Sequence, residues 1–532
     1  MQVNLAALLN RGRGMRIDFI HNSGMPKLAW SAKVEPQKQT ISATIGDWVE
    51  ILNNGFLEGV ADDNFSSSSF DRTACIFGSG AIIRGEEITF VSSAATTDYL
   101  YWTVIDDGRV VHISNSLPLL LACLNDQLDK HCLNYSEINN SIALGINNYR
   151  KSIPTNKGAV NRLMYRNLRV SAEGIAEIDK PLAPRFASFA EYFNYLSSSY
   201  ERLAKNARDI NRKRPMAIFS TQSRGYDSSA INAIAKDHDI DLVFTVSKGK
   251  ARGLLATQDQ NLEVNDDGTQ ICEKFGLPCM QIERRALEND SEHEALFYAA
   301  IDDNGDFNLQ QIGTHVTQPT ILLTGSLGEI WYTASYSADK PGTINGDLVR
   351  GDLGTHGLTE VRLEAGYIQL PLSYVGATSR EDILRITESL EMNPWRLGTD
   401  YDRPIPRRIA ENAGLGREMF GQVKMASVLE YPAPRLPLNL ALRSAYFDFL
   451  VENRLISRWQ IFMFILVRKW NTVIGTTSPK YYRWNYYLQR VISRIARRPF
   501  AFPLLWQHLN GSIFCFCVNQ RVLELRQRLN LQ

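Results

Sequence analysis

The chain has 532 residues, 44% hydrophobic and 22% charged. At roughly 150 residues per domain that length implies two to four folding units, and the ordinary globular usage excludes a disordered, collagen-like or disulfide-scaffold chain. A net charge of +1, from 58 basic against 57 acidic residues, gives the whole chain no nucleic-acid signature. That balance hides an asymmetry, because residues 451–532 hold 13 Lys or Arg against 2 Asp or Glu. The 7 cysteines form no C-x-x-C pair, which argues against a zinc site or disulfide framework and for a reducing, cytoplasmic setting. The N-terminus lacks the h-region and cleavage site of a signal peptide, and no run of apolar residues is long enough to span a membrane.

In chain order, residues 1–180 read as short strands, including Asp71–Phe77, Glu87–Val91, Tyr99–Ile105 and Val110–Ile113. The stretch from Asn148 through Pro154 to Gly158 reads as a basic loop, and Leu168–Ser171 as one more strand. Pro181 and Pro184 mark a break, so a first domain is placed at 1–185. A helix over 188–211 follows, then an apolar strand at Met216–Ser220, a helix at Ser228–Lys236 and a second strand at Leu242–Val246. Strand, helix and strand in so few residues predict a βαβ unit and a parallel sheet. A helix at Gly268–Phe275, a strand at Met280–Ile282 and another at Thr320–Thr324 continue the pattern. A second domain is placed at 186–450 and a basic, aromatic, helical tail at 451–532.

The informative segment is Ser220-Thr-Gln-Ser-Arg-Gly-Tyr-Asp-Ser-Ser229, between a buried strand and a helix. Ligands bind at that end of a strand in an α/β sheet. Ser223, Ser228 and Ser229 offer hydroxyl donors, Gly225 allows close backbone approach, and the helix N-terminus favours an anion. Asp227 suits such a loop if Mg²⁺ bridges it to a polyphosphate. The plainer alternative is a helix cap preceded by a turn. The loop is neither a Walker A nor a dinucleotide fingerprint.

Ser223-Arg-Gly-Tyr-Asp-Ser-Ser229 resembles the S-G-G-x-D-S-S pyrophosphate loop of the asparagine synthetase family, with Arg224 in place of the first glycine. The resemblance extends over about 200 residues. Phe244-Thr-Val-Ser is similar to the family's second strand, which makes Thr245 and Val246 adenine contacts. Thr324-Gly-Ser-Leu-Gly-Glu-Ile-Trp331 is similar to its acidic glycine motif, with Gly325 at the phosphates and Glu329 as the retained carboxylate. Residues 401–424 are similar to its closing helix and basic loop, with Lys424 as the phosphate-contacting lysine.

The resemblance implies a parallel-sheet synthetase domain of the ATP pyrophosphatase type behind an Ntn-like N-terminal α+β sandwich. It implies ATP and Mg²⁺, with Asp227 and Glu329 at the metal, and phosphate contacts from Ser220, Ser223, Arg224, Gly225, Ser228 and Ser229. It implies adenylation of a carboxylate and its transfer to an amine. Glutamine-using members carry an N-terminal cysteine nucleophile after Met removal. Here residue 2 is Gln2 and the first cysteine is Cys75, read as a buried strand residue, so no glutamine hydrolysis is expected. β-Lactam synthetases and lasso-peptide cyclases show the same loss. The alternatives are an ammonia-dependent asparagine synthetase and a non-catalytic nucleotide-binding homologue.

Other carboxylates stay open. Asp266 and Asp267 read as helix caps, or as neighbours of the substrate, and Glu391 as an amine-orienting or an exposed helix residue. Asp302-Asp303 resembles a Ca²⁺ loop but lacks its closing glutamate. The tail, with Trp, Tyr and Phe interleaved among Arg and Lys, fits either peripheral contact with an anionic membrane or packing against the acidic body. No nucleic-acid partner is expected.

Overall fold

The computed structural model describes residues 14–132, 134–251, 263–283, 294–300, 309–331, 358–399, 401–423, 425–426, 436–462, 465–466, 491, 494–495 and 510–531. Strands β1 (Arg16–His21), β2 (Trp30–Glu35), β3 (Thr40–Ile45), β4 (Glu50–Leu52), β5 (Gly55–Ala61), β6 (Ile76–Arg84) and β7 (Glu87–Val91) open the chain. Strands β8 (Leu100–Ile105), β9 (Val110–Ser114), β10 (Ser152–Thr155), β11 (Gly158–Leu163), β12 (Asn167–Ser171) and β13 (Gly174–Ile178) complete the N-terminal half. They form a seven-stranded sheet, β1-β3-β2-β9-β8-β11-β10, and a six-stranded sheet, β13-β12-β7-β6-β5-β4. All pairings in them are antiparallel except β1 with β3.

Alternation drives this half. The β3 sequence TISATI turns every second residue inward, and those side chains meet apolar side chains of the facing sheet. Trp30 of β2 sits at the centre, stacked on Phe90 at 5.8 Å, edge-on to Phe56 at 5.0 Å, with its indole N–H donated to Ser79 Oγ at 2.9 Å. Helices α1 (Leu117–Leu124) and α2 (Tyr135–Asn140) follow β9.

Two expectations for this half need correction. Residues 71–75 are not strand, since β6 begins at Ile76: Phe70–Arg72 is a 3-10 turn, held by the Asp71 carboxylate accepting from Arg84 at 2.9 and 2.5 Å. The loop expected across Pro154 is the β10–β11 hairpin. Pro154 is tolerated because β10 is an edge strand, where a missing N–H costs no ladder bond.

The second half begins with α3 (Phe189–Ala207), opened by Ser188 accepting the Glu191 N–H while the Glu191 carboxylate accepts that of Ala187. Then follow β14 (Ala217–Thr221), α4 (Tyr226–Ala235), β15 (Leu242–Val246), β16 (Lys248–Ala251), β17 (Glu263–Asn265), α5 (Thr269–Phe275) and β18 (Cys279–Ile282). Next come α6 (Glu294–Ala300), α7 (Leu309–Gly313), β19 (Thr320–Leu323), α8 (Thr359–Ala365), β20 (Tyr367–Leu370), α9 (Arg380–Glu388), α10 (Pro404–Asn412), β21 (Met425–Ala426), α11 (Leu440–Glu452) and α12 (Asn510–Leu529).

The predicted parallel sheet is present, with strand order β18-β15-β14-β19-β20. Both faces are covered: Ile218, Ile321 and Ile368 enter one core, and Phe219, Phe244, Leu322 and Tyr367 enter another. The mixed α/β class with a strand-rich N-terminal part is therefore observed. Strand β20 was not anticipated, because four residues after Gly366 carry too little pattern to mark a strand.

Candidate functional site

The chain leaves β14 at Thr221, turns through Gln222–Gly225 and enters α4 at Tyr226. The turn is knitted by its own polar groups. Ser223 N–H donates to Ser228 Oγ (3.1 Å), Gly225 N–H to Ser223 Oγ (3.0 Å), and Ser229 Oγ to the Gly225 carbonyl (2.8 Å). Below it, Ser220 Oγ donates to Asn232 Oδ1 (2.6 Å), and Asn232 Nδ2 donates to Gln222 Oε1 (2.7 Å). Ser220 is fully buried, so it supports the loop from beneath rather than lining its mouth.

Neighbouring turns lock this loop. The Arg224 N–H donates to Asp266 Oδ1 at 2.8 Å. The Arg224 guanidinium is directed to the carbonyls of Met419 (3.1 Å) and Glu418 (3.4 Å), and the Gly421 N–H returns to the Arg224 carbonyl (2.8 Å). Arg224 thus ties the loop to residues 418–421. Thr245 is buried and accepts the Gly268 N–H (2.8 Å), and Val246 is buried at the end of β15. Asp267, one residue before the Gly268 N-cap of α5, accepts from the Thr269 N–H (2.9 Å) in the turn that opens the helix.

Asp227, in the first turn of α4, pairs with Arg403 at 3.2 Å, both side chains being largely buried. Arg403 also lies 4.9 Å from the centroid of the Tyr401 ring. Burial, and then the charge of Asp227, push the Tyr401 phenol above its ordinary range. Behind this pair, the buried Arg407 of α10 donates to the Tyr226 hydroxyl and to Glu411 (3.2 Å), fixing α10 against α4.

The segment after β19 meets the same helix terminus. A methyl at Gly328 would fall 2.3 Å from the Asp227 carboxyl carbon, and one at Gly325 would fall 3.1 Å from the Ser228 nitrogen. A side chain at Gly328 would require the Asp227 carboxylate to move, and one at Gly325 would press the start of α4 by a few tenths of an ångström. Between them Leu327 has φ 61°, left-handed for a bulky residue, while its side chain is buried. That strain persists because the surrounding core fixes it, a combination that clusters at functional sites. Glu329 follows on a 3-10 turn, Gly328–Trp331.

These segments meet at one place in the topology. The chain runs outward from β14 through β15 to β18, then returns to the other side of β14 for β19 and β20. That reversal is where parallel α/β sheets bind ligands, at the carboxyl ends of the strands. The structure brings Ser223, Arg224, Gly225, Asp227, Ser228 and Ser229 together with Gly325. Lys424 lies outside the described residues, as do Asp302 and Asp303; the adjacent Met425–Ala426 pairs with Lys250–Ala251 beyond β15. Glu391 is committed elsewhere, accepting from Phe189 N–H (3.0 Å) and Arg408 (3.1 Å). Cys75 is buried, but it lies in the coil just before β6 and not in a strand as expected, and burial pushes its thiol up; Gln2 lies outside the described residues.

Arg403 is the contributor that sequence reasoning missed; Asp266, read there as a helix cap or a neighbour of the substrate, holds the loop backbone. Arg403 stood inside the noted 401–424 segment, immediately before the Pro404 that opens α10. No group of three or more His, Cys, Asp or Glu gathers for a metal among the described residues. One or two carboxylates are nonetheless what Mg²⁺ takes from protein when phosphate oxygens complete its shell. Asp227 supplies one such carboxylate, provided the ion displaces Arg403 from it.

No family model matches the chain, and no curated protein matches it. Among solved structures it is similar to the U34-tRNA thiolase NcsA from Methanococcus maripaludis with its [4Fe-4S] cluster. The identity is 11%, covering 42% of this chain and 72% of that one, with a TM-score of 0.19. So low a score leaves the functional reading to the residues themselves.

Proposed function

We propose that this chain is an ATP-dependent, AMP-forming amide-bond ligase of the asparagine synthetase type, with an Ntn-like N-terminal sandwich that hydrolyses no glutamine. One observation carries the reading: two glycine-bearing loops, after β14 and after β19, converge on Asp227 at the switch point of a parallel sheet. In this reading Ser223, Ser228 and the first turn of α4 hold the phosphates of ATP, and the end of β15 at Thr245 and Val246 receives the adenine. Mg²⁺ held by Asp227 and Glu329 would neutralise charge on the departing pyrophosphate. Arg403, paired with Asp227 in this structure, would be free to take phosphate charge were Asp227 to hold the metal. A substrate carboxylate attacks the α-phosphorus and pyrophosphate leaves. An amine then attacks the acyl-adenylate carbonyl and AMP leaves, with Lys424 at the developing oxyanion. Catalysis is positioning plus charge neutralisation.

The test is ATP–pyrophosphate exchange across a panel of carboxylates, with the full-length protein. Exchange with at least one carboxylate is expected, and the responding compound names the substrate class. Aspartate with ammonia is the arm that identifies an asparagine synthetase, and glutamate released from glutamine would overturn the claim of an inactive N-terminal half. Absence of exchange with every carboxylate, alongside measurable ATP binding, favours a second reading: nucleotide binding without turnover. The pairing of Asp227 with Arg403 supports that second reading, since it occupies the carboxylate that a metal needs.

A further inference from the structure

Six residues separate Cys272 from Cys279, a spacing that in sequence marks neither a metal site nor a redox motif. The fold nonetheless sets the two thiols against each other. Cys272 lies midway along α5, which stops at Gly276. Gly276 takes φ 69° and donates its N–H to the Glu273 carbonyl at 3.1 Å. The Leu277 N–H returns to the Cys272 carbonyl at 2.9 Å, which folds the chain back along the helix. The Pro278 carbonyl accepts the Val243 N–H at 2.8 Å, and Cys279 opens β18 opposite Val243 of β15. In that turned-back arrangement the Cys272 and Cys279 side chains share a hydrogen bond between their sulfurs and pack in the same core.

The two members of the pair are unlike. Cys272 is fully buried, whereas Cys279 is half-buried at the first residue of β18, the edge strand of the parallel sheet. The buried sulfur keeps the shared proton. Its bond to Cys279, and then burial, push the Cys272 thiol up. The same bond holds the Cys279 thiol below its ordinary range, against burial and the charges of Asp267 and Glu273. Burial raises the thiols of Cys75, Cys123, Cys132, Cys515 and Cys517. Cys279 is therefore the thiol of this chain best able to act as a thiolate, and Cys272 is the one in contact with it.

We propose that Cys272 and Cys279 form a hydroperoxide-reactive dithiol, in which Cys279 takes the oxidant and Cys272 resolves it as a disulfide. The Cys279 sulfur attacks one oxygen of the peroxide, the O–O bond breaks, and the departing hydroxide takes a proton and leaves as water. The Cys272 sulfur then attacks the sulfur of the resulting sulfenic acid. The S–O bond breaks, and the hydroxyl leaves as water with the Cys272 proton. Two thiols lose two electrons to one peroxide, which becomes two waters. A small thiol reverses the bond by exchange at the half-buried Cys279 sulfur. Such a transient, redox-sensing disulfide is the kind that a reducing compartment tolerates. The pair lies behind Gly268, whose N–H holds Thr245, but its chemistry does not depend on what binds at that end of β15.

The test is peptide mapping by mass spectrometry of the reduced full-length protein after one equivalent of hydrogen peroxide. Trypsin cleaves after Lys274, between the two cysteines, so their disulfide joins two peptides. The Cys272–Cys279 link is expected as the first product, with the other five cysteines still open to alkylation after unfolding, and dithiothreitol should remove it. Cys272→Ser should hold the oxidation at Cys279 as a sulfenic acid that dimedone traps. Cys279→Ser should leave Cys272 reduced at the same peroxide dose. The proposal fails if the wild-type digest contains no such link, or if another cysteine is oxidised first. Oxidation of Cys272 in Cys279→Ser as readily as in the native chain would overturn the order of attack. Mapping on the wild-type chain decides the existence of the pair even where a variant does not fold.

Discussion

Asp227 carries two loads at once, and they separate experimentally. Its carboxylate neutralises the largely buried Arg403 at 3.2 Å, and in the proposed reaction it would also hold the metal at the phosphates. Removing one partner of a buried pair strands the other charge, which costs about 3 kcal/mol. Asp227→Ala should therefore lower the unfolding free energy by about that amount and abolish ATP-dependent pyrophosphate release. The double variant Asp227→Ala with Arg403→Ala should regain most of the stability and none of the release. A chemical-denaturation double-mutant cycle measures the first effect and a pyrophosphate assay the second. Recovery of release in the double variant would remove Asp227 from the chemistry.

Among the elements, the β14–α4 loop is held by a residue from another turn. Asp266 is buried and accepts the Arg224 N–H at 2.8 Å, in the place where a purely local loop would need its own capping group. Asp266→Ala leaves that N–H without its carboxylate, a loss of about 1–3 kcal/mol. Hydrogen exchange at Arg224 should then accelerate, and Asp266→Asn, which keeps an acceptor oxygen, should restore slow exchange. Equal protection in Asp266→Ala would show that the loop is held by its serines alone.

Across the whole molecule, α8 is the junction. Its Arg362 is fully buried between Glu58 (3.0 Å) and Asp98 (2.5 Å) of the N-terminal half, its Glu360 accepts from Ser116 (2.9 Å), and its Glu364 binds α12. Burial opposes the Arg362 charge, and Asp98 and Glu58 overcome it. Glu360 is different: burial pushes its carboxyl up to about 7, against the smaller opposing pulls of Arg521, Ser116 and Arg362. The folded state thus binds this proton more tightly than the unfolded chain does. Its contribution to stability is complete below the unfolded value, about 4.3, and fades as pH rises through 7. Stability should fall between pH 5 and pH 8 by up to about 3 kcal/mol from this group. Glu360→Gln should flatten that slope and be the more stable form at pH 8. Parallel slopes in urea titrations of the two proteins would show that Glu360 is ionised throughout.

Local chemistry was enough for several features. The apolar run Leu242–Val246 matched β15 end to end, and the helix expected from residue 188 is α3, because strand and helix periods and capping residues act over a few neighbours. The order of strand, loop and helix around Ser223–Ser229 was legible for the same reason. Contacts between distant residues were not. Arg403 reaches Asp227 across 176 positions, and Asp266 reaches Arg224 across 42. The basic tail looked uniform in composition, yet α12 became core and Trp459 stayed exposed. Composition counts charges and rings, whereas burial depends on which carboxylates and apolar faces the fold has left available. Only the assembled fold could set Glu364 beneath Arg521 and Arg528 and leave Arg458 facing outward.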